Sequence, residues 1–195
     1  TPRSSSAASD VYKRQSVDRD DIKDGGSIIW AETVNAIRDL NPNTTIETLI
    51  PDFKGETDNI DRIIKVAPEV VSHNLETVRR LTKEVRIQAK YDRSLEVLKY
   101  LKESGISRTK SGVMLGLGEK REEVLETLDD LRSVGVDIVT LGQYLQPSKK
   151  HLPVLDFITP DEFKEYEIIG KEMGFRHVES GPLVRSSYKA HKHIH

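Results

Sequence analysis

Four short stretches of this chain carry residue types that could do chemistry. They are Pro51-Asp52-Phe53, Ser72-His73-Asn74-Leu75-Glu76, Gly116-Leu117-Gly118-Glu119 and Gly142-Gln143-Tyr144-Leu145-Gln146-Pro147-Ser148. A purely structural loop more often holds Asp, Ser and Gly as caps, without paired amides and an aromatic. Gly112, Gly116 and Gly118 would let a planar group approach the backbone closely. Their spacing matches neither the dinucleotide-binding G-x-G-x-x-G pattern nor the Gly-Lys-Ser/Thr phosphate loop. Glu119, taken alone, is a helix-start acid. His73 next to Asn74 and Glu76 suits a hydrogen-bonded spacer, since no second histidine stands at ligand spacing before the tail. His191, His193 and His195 lie two apart in a chain terminus, where solvated, adventitious metal affinity is expected. No Ser–His–Asp arrangement can be assembled from one sequence, and no residue is assigned a catalytic role.

Composition narrows the classes. The chain has 195 residues, 36% hydrophobic and 32% charged, with a net charge of −2. That length and apolar fraction suit one domain with a sizeable core. A nearly balanced charge gives no general attraction to nucleic acid or to an anionic membrane. No run approaches the ~18 apolar residues of a membrane span, and a cytoplasmic location is expected. Cysteine is absent, so this chain makes no disulfide, no thiolate nucleophile and no all-thiolate metal site.

The elements that must position these stretches alternate. Trp30, Val34 and Ile37 mark a helix over about 27–40, ended at Asn41-Pro42. The β-branched run at 44–50 is a strand. Ile60, Ile63, Ile64 and Ala67 form a helical face, followed by the short run Val70-Val71. Leu95, Leu98 and Leu101 form another helical face, ended by Gly105. Residues 110–117 read as a buried strand. Glu119, Glu122 and Glu123 then open a helix bearing Val124, Leu128 and Leu131. Residues 137–141 are the next strand. Thr159-Pro160-Asp161-Glu162 is a capping box with Pro at the first helical position, and 177–180 is a last short strand. Strands alternating with helices imply a parallel α/β sheet. About five units are visible, where a full (β/α) barrel needs ~250 residues. A partial barrel is expected, with its functional residues at the C-terminal ends of the strands.

Residues 1–15 read differently. The opening TPRSSSAASD is small and polar and is expected to be disordered. Asp10-Val11-Tyr12-Lys13-Arg14-Gln15 resembles the in-frame translation of a transposase-type sequencing adapter. Residues 1–15 are therefore expected to be a foreign or disordered tail, and 16–195 the domain.

Six segments, taken in order, resemble lipoyl synthase. They are Ser16-Val17-Asp18-Arg19-Asp20-Asp21-Ile22-Lys23-Asp24-Gly25-Gly26; Glu47-Thr48-Leu49-Ile50-Pro51-Asp52-Phe53; His73-Asn74-Leu75-Glu76-Thr77-Val78; Lys110-Ser111-Gly112-Val113-Met114-Leu115-Gly116-Leu117-Gly118-Glu119; Thr140-Leu141-Gly142-Gln143-Tyr144-Leu145-Gln146-Pro147-Ser148; and Gly181-Pro182-Leu183-Val184-Arg185-Ser186-Ser187-Tyr188. The resemblance covers essentially all of 16–195. It implies a radical S-adenosylmethionine enzyme with a partial (β/α) barrel and two [4Fe–4S] clusters. The implied reaction inserts two sulfur atoms at C6 and C8 of a protein-bound octanoyl-lysine. The implied partner is an octanoylated lipoyl-carrier domain, of 2-oxoacid dehydrogenases or of the glycine cleavage H protein, with neither nucleic acid nor membrane.

The resemblance also assigns residues. Asp24, Gly25 and Gly26 stand where a Gly-Gly-Glu-like turn meets the methionine amino group. Gly112, Gly116 and Glu119 match the strand against which adenine lies. Asn74, Glu76 and Arg86 would contact ribose or the methionine carboxylate, and Gln143 and Tyr144 the adenine or the substrate. One of Ser186 and Ser187 would ligate the auxiliary cluster. In an extended segment Ser187 would share a side with Arg185, which would face the cluster sulfides or the substrate. The family's cluster motifs, C-x4-C-x5-C and C-x3-C-x2-C, would lie upstream of Ser16, together with the first barrel strand. Clusters need thiolates, so no stable cluster and no activity are expected of this chain as written. Two other readings remain: a noncatalytic module that binds a lipoyl-carrier domain, and an aldolase-like barrel using a strand-end Lys110 as Schiff base.

Overall fold

The computed structural model describes residues 19–194 and the backbone of residues 11–15. The expectations for residues 1–10, 16–18 and His195 lie outside the described residues.

Six parallel strands form one sheet in sequential order, β1 to β6. They are β1 (Val11–Gln15), β2 (Thr45–Leu49), β3 (Val70–Ser72), β4 (Arg108–Leu115), β5 (Ile138–Gln143) and β6 (His177–Gly181). Helices α1 (Ser27–Leu40), α2 (Thr57–Lys65), α3 (Thr82–Val85), α4 (Tyr91–Glu103), α5 (Arg121–Ser133) and α6 (Pro160–Glu172) connect them. The edge beside β2, which the sequence reading leaves open, carries β1, in register from Val11 opposite Thr45 to Gln15 opposite Leu49.

Strands β2 to β6 have one face against the helices and one against the barrel interior. On the helix side Val113 and Leu115 of β4 and Val139 and Leu141 of β5 pack with Leu98 of α4, Leu128 of α5 and Phe163 of α6. A second apolar cluster joins Trp30 of α1, Ile60 and Ile63 of α2, Val71 of β3 and Leu101 of α4. Burying a Leu, Ile or Phe side chain is worth about 1.5–3 kcal/mol, so these two clusters hold the helices to the sheet. The opposite face is polar: Glu47, Ser72 and Lys110 are all fully buried there.

The α6 boundary forms as its sequence predicts. Thr159 Oγ1 accepts from the Glu162 amide at 3.2 Å, and the Glu162 carboxylate accepts from the Thr159 amide at 2.9 Å. Glu119 departs from expectation, because α5 starts only at Arg121. Its carboxylate instead folds back onto the Gly116 and Leu117 amides, at 2.6 and 2.9 Å. Two amides that end β4 thereby receive a charged acceptor. Glu123 is the residue that caps α5, taking the Lys120 amide at 2.7 Å.

Candidate functional site

At the C-terminal ends of β2 to β5 lies a cavity of about 1090 Å³. Of the residues singled out above, Asn74, Glu76, Arg86, Gly112, Gln143, Tyr144, Arg185 and Ser186 line it; Asp24, Gly25, Gly26, Gly116, Glu119 and Ser187 do not. Four strand ends, the 145–152 loop and the 184–186 segment converge on one space.

Backbone placement explains the wall around Asn74. After β3 the chain rises beside β4: the Glu76 amide donates to the Gly112 carbonyl at 2.9 Å, and the Met114 amide to the Glu76 carbonyl at 2.8 Å. Glu76 holds φ at 68° for this bridge, a strained setting for a residue with a side chain. Asn74 donates through Nδ2 to Glu76 Oε1 at 3.0 Å, and Arg86 donates to the Asn74 carbonyl at 2.9 Å. Asn74 Oδ1 is buried without a hydrogen-bond partner, an arrangement that costs about 1–3 kcal/mol when nothing fills it. A Cβ at Gly112 would stand 3.0 Å from that oxygen and 2.9 Å from Thr140 Oγ1. Glycine therefore lets the Asn74 and Thr140 side chains pack this closely against the β4 backbone.

His73 closes the base of the same wall. Its Nδ1 donates to the Ile50 carbonyl at 3.0 Å, so its Nε2 accepts from the Ser94 hydroxyl at 2.9 Å. This fixes the neutral tautomer that protonates Nδ1. Burial pushes the imidazole down to about 4, opposed by the Ile50 carbonyl and reinforced by the Arg86 charge. The spacer reading of His73 matches these bonds.

Gln143 and Tyr144 have their polar atoms engaged. Gln143 Nε2 donates to the Asp156 carbonyl at 3.0 Å, and its Oε1 accepts from the Ile158 amide at 3.0 Å. The Tyr144 hydroxyl donates to the Leu152 carbonyl at 2.9 Å. These two side chains clamp the loop that forms the cavity's outer wall. Gly116 belongs to the same clamp, since at φ +103° a Cβ there would meet Gln143 Nε2 at 2.3 Å. Asp24, Gly25 and Gly26 lead into α1, where Asp24 Oδ2 accepts from the Ile28 amide at 3.0 Å.

The segment at 185–188 is a turn. The Tyr188 amide donates to the Arg185 carbonyl at 2.8 Å, so the alternation argument that separates Ser186 from Ser187 does not apply. Ser186 is half-buried at the cavity wall and Ser187 is exposed. Lys110 also differs from its expected setting. It is the third residue of β4, not a strand end, and its ammonium is ion-paired with Glu47 at 3.0 Å with both side chains fully buried. An ammonium held in this way is not the free amine that a Schiff base needs.

Thr140, Gly142 and Met114, which the sequence reading placed inside its quoted motifs without a role of their own, also line the cavity. Their signal was parity: each stands one residue from the helix-side positions Val113, Val139 and Leu141. Sequence reasoning missed the Asp52–Arg93 ion pair at 2.6 Å, which joins the β2 end to α4 and which no local spacing announces.

Comparison with known proteins fits this geometry. Lipoyl synthases from Nematostella vectensis (its name adds "mitochondrial") and Christiangramia forsetii are each 76% identical to this chain over 92% of its length. One from Porphyromonas gingivalis is 55% identical over the same share. The chain spans 62%, 61% and 64% of those three proteins' own lengths. Among solved structures, a hydrogenase maturase from Carboxydothermus hydrogenoformans gives a TM-score of 0.65 at 16% identity, over 80% of this chain and 39% of its own. Coproporphyrinogen III oxidase from Escherichia coli gives 0.62 at 15% identity, over 76% and 37%. These two show the same fold. The family model described as the Radical SAM superfamily matches residues 16–131, more than half of the sequence, and the chain belongs to that superfamily.

Proposed function

We propose that this chain is the S-adenosylmethionine-binding part of a lipoyl synthase, the enzyme that inserts two sulfur atoms at C6 and C8 of a protein-bound octanoyl-lysine. The observation that carries the reading is the unpaired Asn74 Oδ1 at the wall of the strand-end cavity, in a chain 76% identical to lipoyl synthases. That buried acceptor would be satisfied by a ligand donor, such as a ribose hydroxyl or an α-ammonium, once the Asn74 side chain turns into the cavity it lines. Asn74, Glu76 and Arg86 would hold the polar end of S-adenosylmethionine, and the bare β4 backbone at Gly112 the flat end. In the whole enzyme, S-adenosylmethionine cleaved by one-electron reduction would supply hydrogen-atom abstraction from unactivated carbon, chemistry that side chains lack. The chain's own part is to orient and enclose: the loop clamped by Gln143 and Tyr144 screens the cavity, and Glu119 fixes the end of β4.

The partner would be an octanoylated lipoyl-carrier domain, with S-adenosylmethionine as the small-molecule co-substrate. The family's two [4Fe–4S] clusters do not fit this chain. It has no cysteine, and no group of at least three His, Asp or Glu among the described residues could hold a metal ion. No helix among them is long and apolar enough to cross a membrane.

Titration calorimetry of the chain with S-adenosylmethionine tests the reading. Saturable binding is expected for the parent chain, weakened at least tenfold in Gly112→Val, whose side chain would collide with Asn74 and Thr140 and displace them on the cavity wall. A folded parent chain that shows no binding overturns the proposal.

A further inference from the structure

Among the described residues, Lys110 and Glu47 form a fully buried ion pair in the barrel interior. Lys110 Nζ donates to Glu47 at 3.0 Å, to the Ser186 carbonyl at 2.6 Å and to His193 Nδ1 at 3.2 Å. An ammonium has three protons to donate, and each has an acceptor here. Glu47 also accepts from the Ser72 hydroxyl at 2.8 Å. Its carboxylate thereby balances the ammonium across the barrel interior. Lys110 comes from β4, Glu47 from β2 and Ser72 from β3, whereas Ser186 and His193 belong to the segment that follows β6. That segment leaves β6, passes the cavity wall at Ser186 and ends in a 3₁₀ turn, Ala190–Ile194, next to β1.

A buried ion pair needs a reason, because its desolvation offsets most of its attraction. Apolar residues of similar size would hold three neighbouring strands equally well. The feature they could not supply is a charged donor for a backbone carbonyl on a segment without sheet pairing of its own. We infer that Lys110 is a positioning residue for the C-terminal turn at 185–188. Charge-balanced by Glu47, it holds the Ser186 carbonyl and the His193 ring, and so presents the Ser186 side chain to the cavity. The inference rests on the proposed function only in that Ser186 lines the cavity proposed to bind the ligand, and its geometry stands apart from any ligand.

The test is hydrogen exchange on this chain, comparing the parent with Lys110→Met and with the double variant Lys110→Met, Glu47→Gln. The double variant removes both charges and keeps an oxygen for the Ser72 hydroxyl, so it covers the case in which the single variant fails to fold. In the folded double variant the Tyr188, Ala190 and Lys192 amides should exchange at least tenfold faster, with β4 and β5 amides unchanged. Acceleration spread equally over the sheet would make Lys110 a general stabiliser and overturn the inference, as would an unchanged turn. The calorimetric titration of the parent is scored separately. Loosening of the turn in a chain that fails to bind S-adenosylmethionine would sink the function and keep the positioning role; binding with an unmoved turn would do the reverse.

Discussion

At the scale of single residues, two side chains within one wall behave oppositely. Asn74 keeps a buried acceptor without a hydrogen-bond partner, while His73 has both ring nitrogens bonded. The His73 environment makes stability depend on pH in a defined direction. Its folded value is lowered to about 4, against about 6.5 in an unfolded chain. Below pH 6.5 the unfolded state takes up a proton that the folded state refuses. The stability from this residue is therefore full above about 6.5 and is lost as pH falls toward 4. A shift of that size corresponds to roughly 3 kcal/mol in total. Denaturant unfolding at pH 7 and pH 4.5 should show it as a difference between the parent and His73→Gln. That variant should be the less stable at neutral pH, with the gap closing as the pH is lowered. A constant gap would mean that His73 titrates normally in the fold.

The loop after β5 shows at the scale of elements how one residue can serve two surfaces. The resemblance assigns Gln143 and Tyr144 to the adenine or the substrate; both line the cavity, and their side chains also hold the loop. Their partners, the carbonyls and amide of Leu152, Asp156 and Ile158, lie on a stretch with no periodicity to place it. Replacing Gln143 by Leu removes three hydrogen bonds at similar volume, two of them to the loop, about 1 kcal/mol each. The loop should then open roughly tenfold or more often while the sheet stays intact. Limited trypsin digestion should cut faster at Lys149 and Lys150, by more than the modestly lowered global unfolding midpoint accounts for. A lower midpoint with unchanged cutting would show that Gln143 supports the core instead. The strands and helices themselves were legible, because burial imposes period 2 or 3.6 on apolar residues whatever the tertiary partners. Glu119 was half legible: its carboxylate does satisfy amides, but those of Gly116 and Leu117 rather than of α5.

Over the whole molecule, what escaped the sequence is whatever joins distant segments across the barrel interior. Glu47 and Lys110 are 63 positions apart, and Lys110 and Ser186 are 76 apart. No local pattern marks either pair, although Lys110 drew notice for its chemistry alone. The order of the strands was legible because parallel β–α alternation leaves few topologies, yet the strand at its edge was not. Val11–Gln15 reads as the end of an adapter-like tail, and its backbone nonetheless pairs with all five residues of β2. A parallel sheet edge left bare is a template for other chains. Deleting residues 1–15 removes that cover and exposes the β2 edge from Thr45 to Leu49. The truncated chain should self-associate at micromolar concentrations where the parent stays monomeric, seen by size-exclusion chromatography with light scattering. Adding Thr45→Lys to the truncated chain places a charge on the bare edge and should restore much of the monomer. A truncated chain that stays monomeric, with an unchanged unfolding midpoint, would show that β1 contributes nothing to closing the sheet.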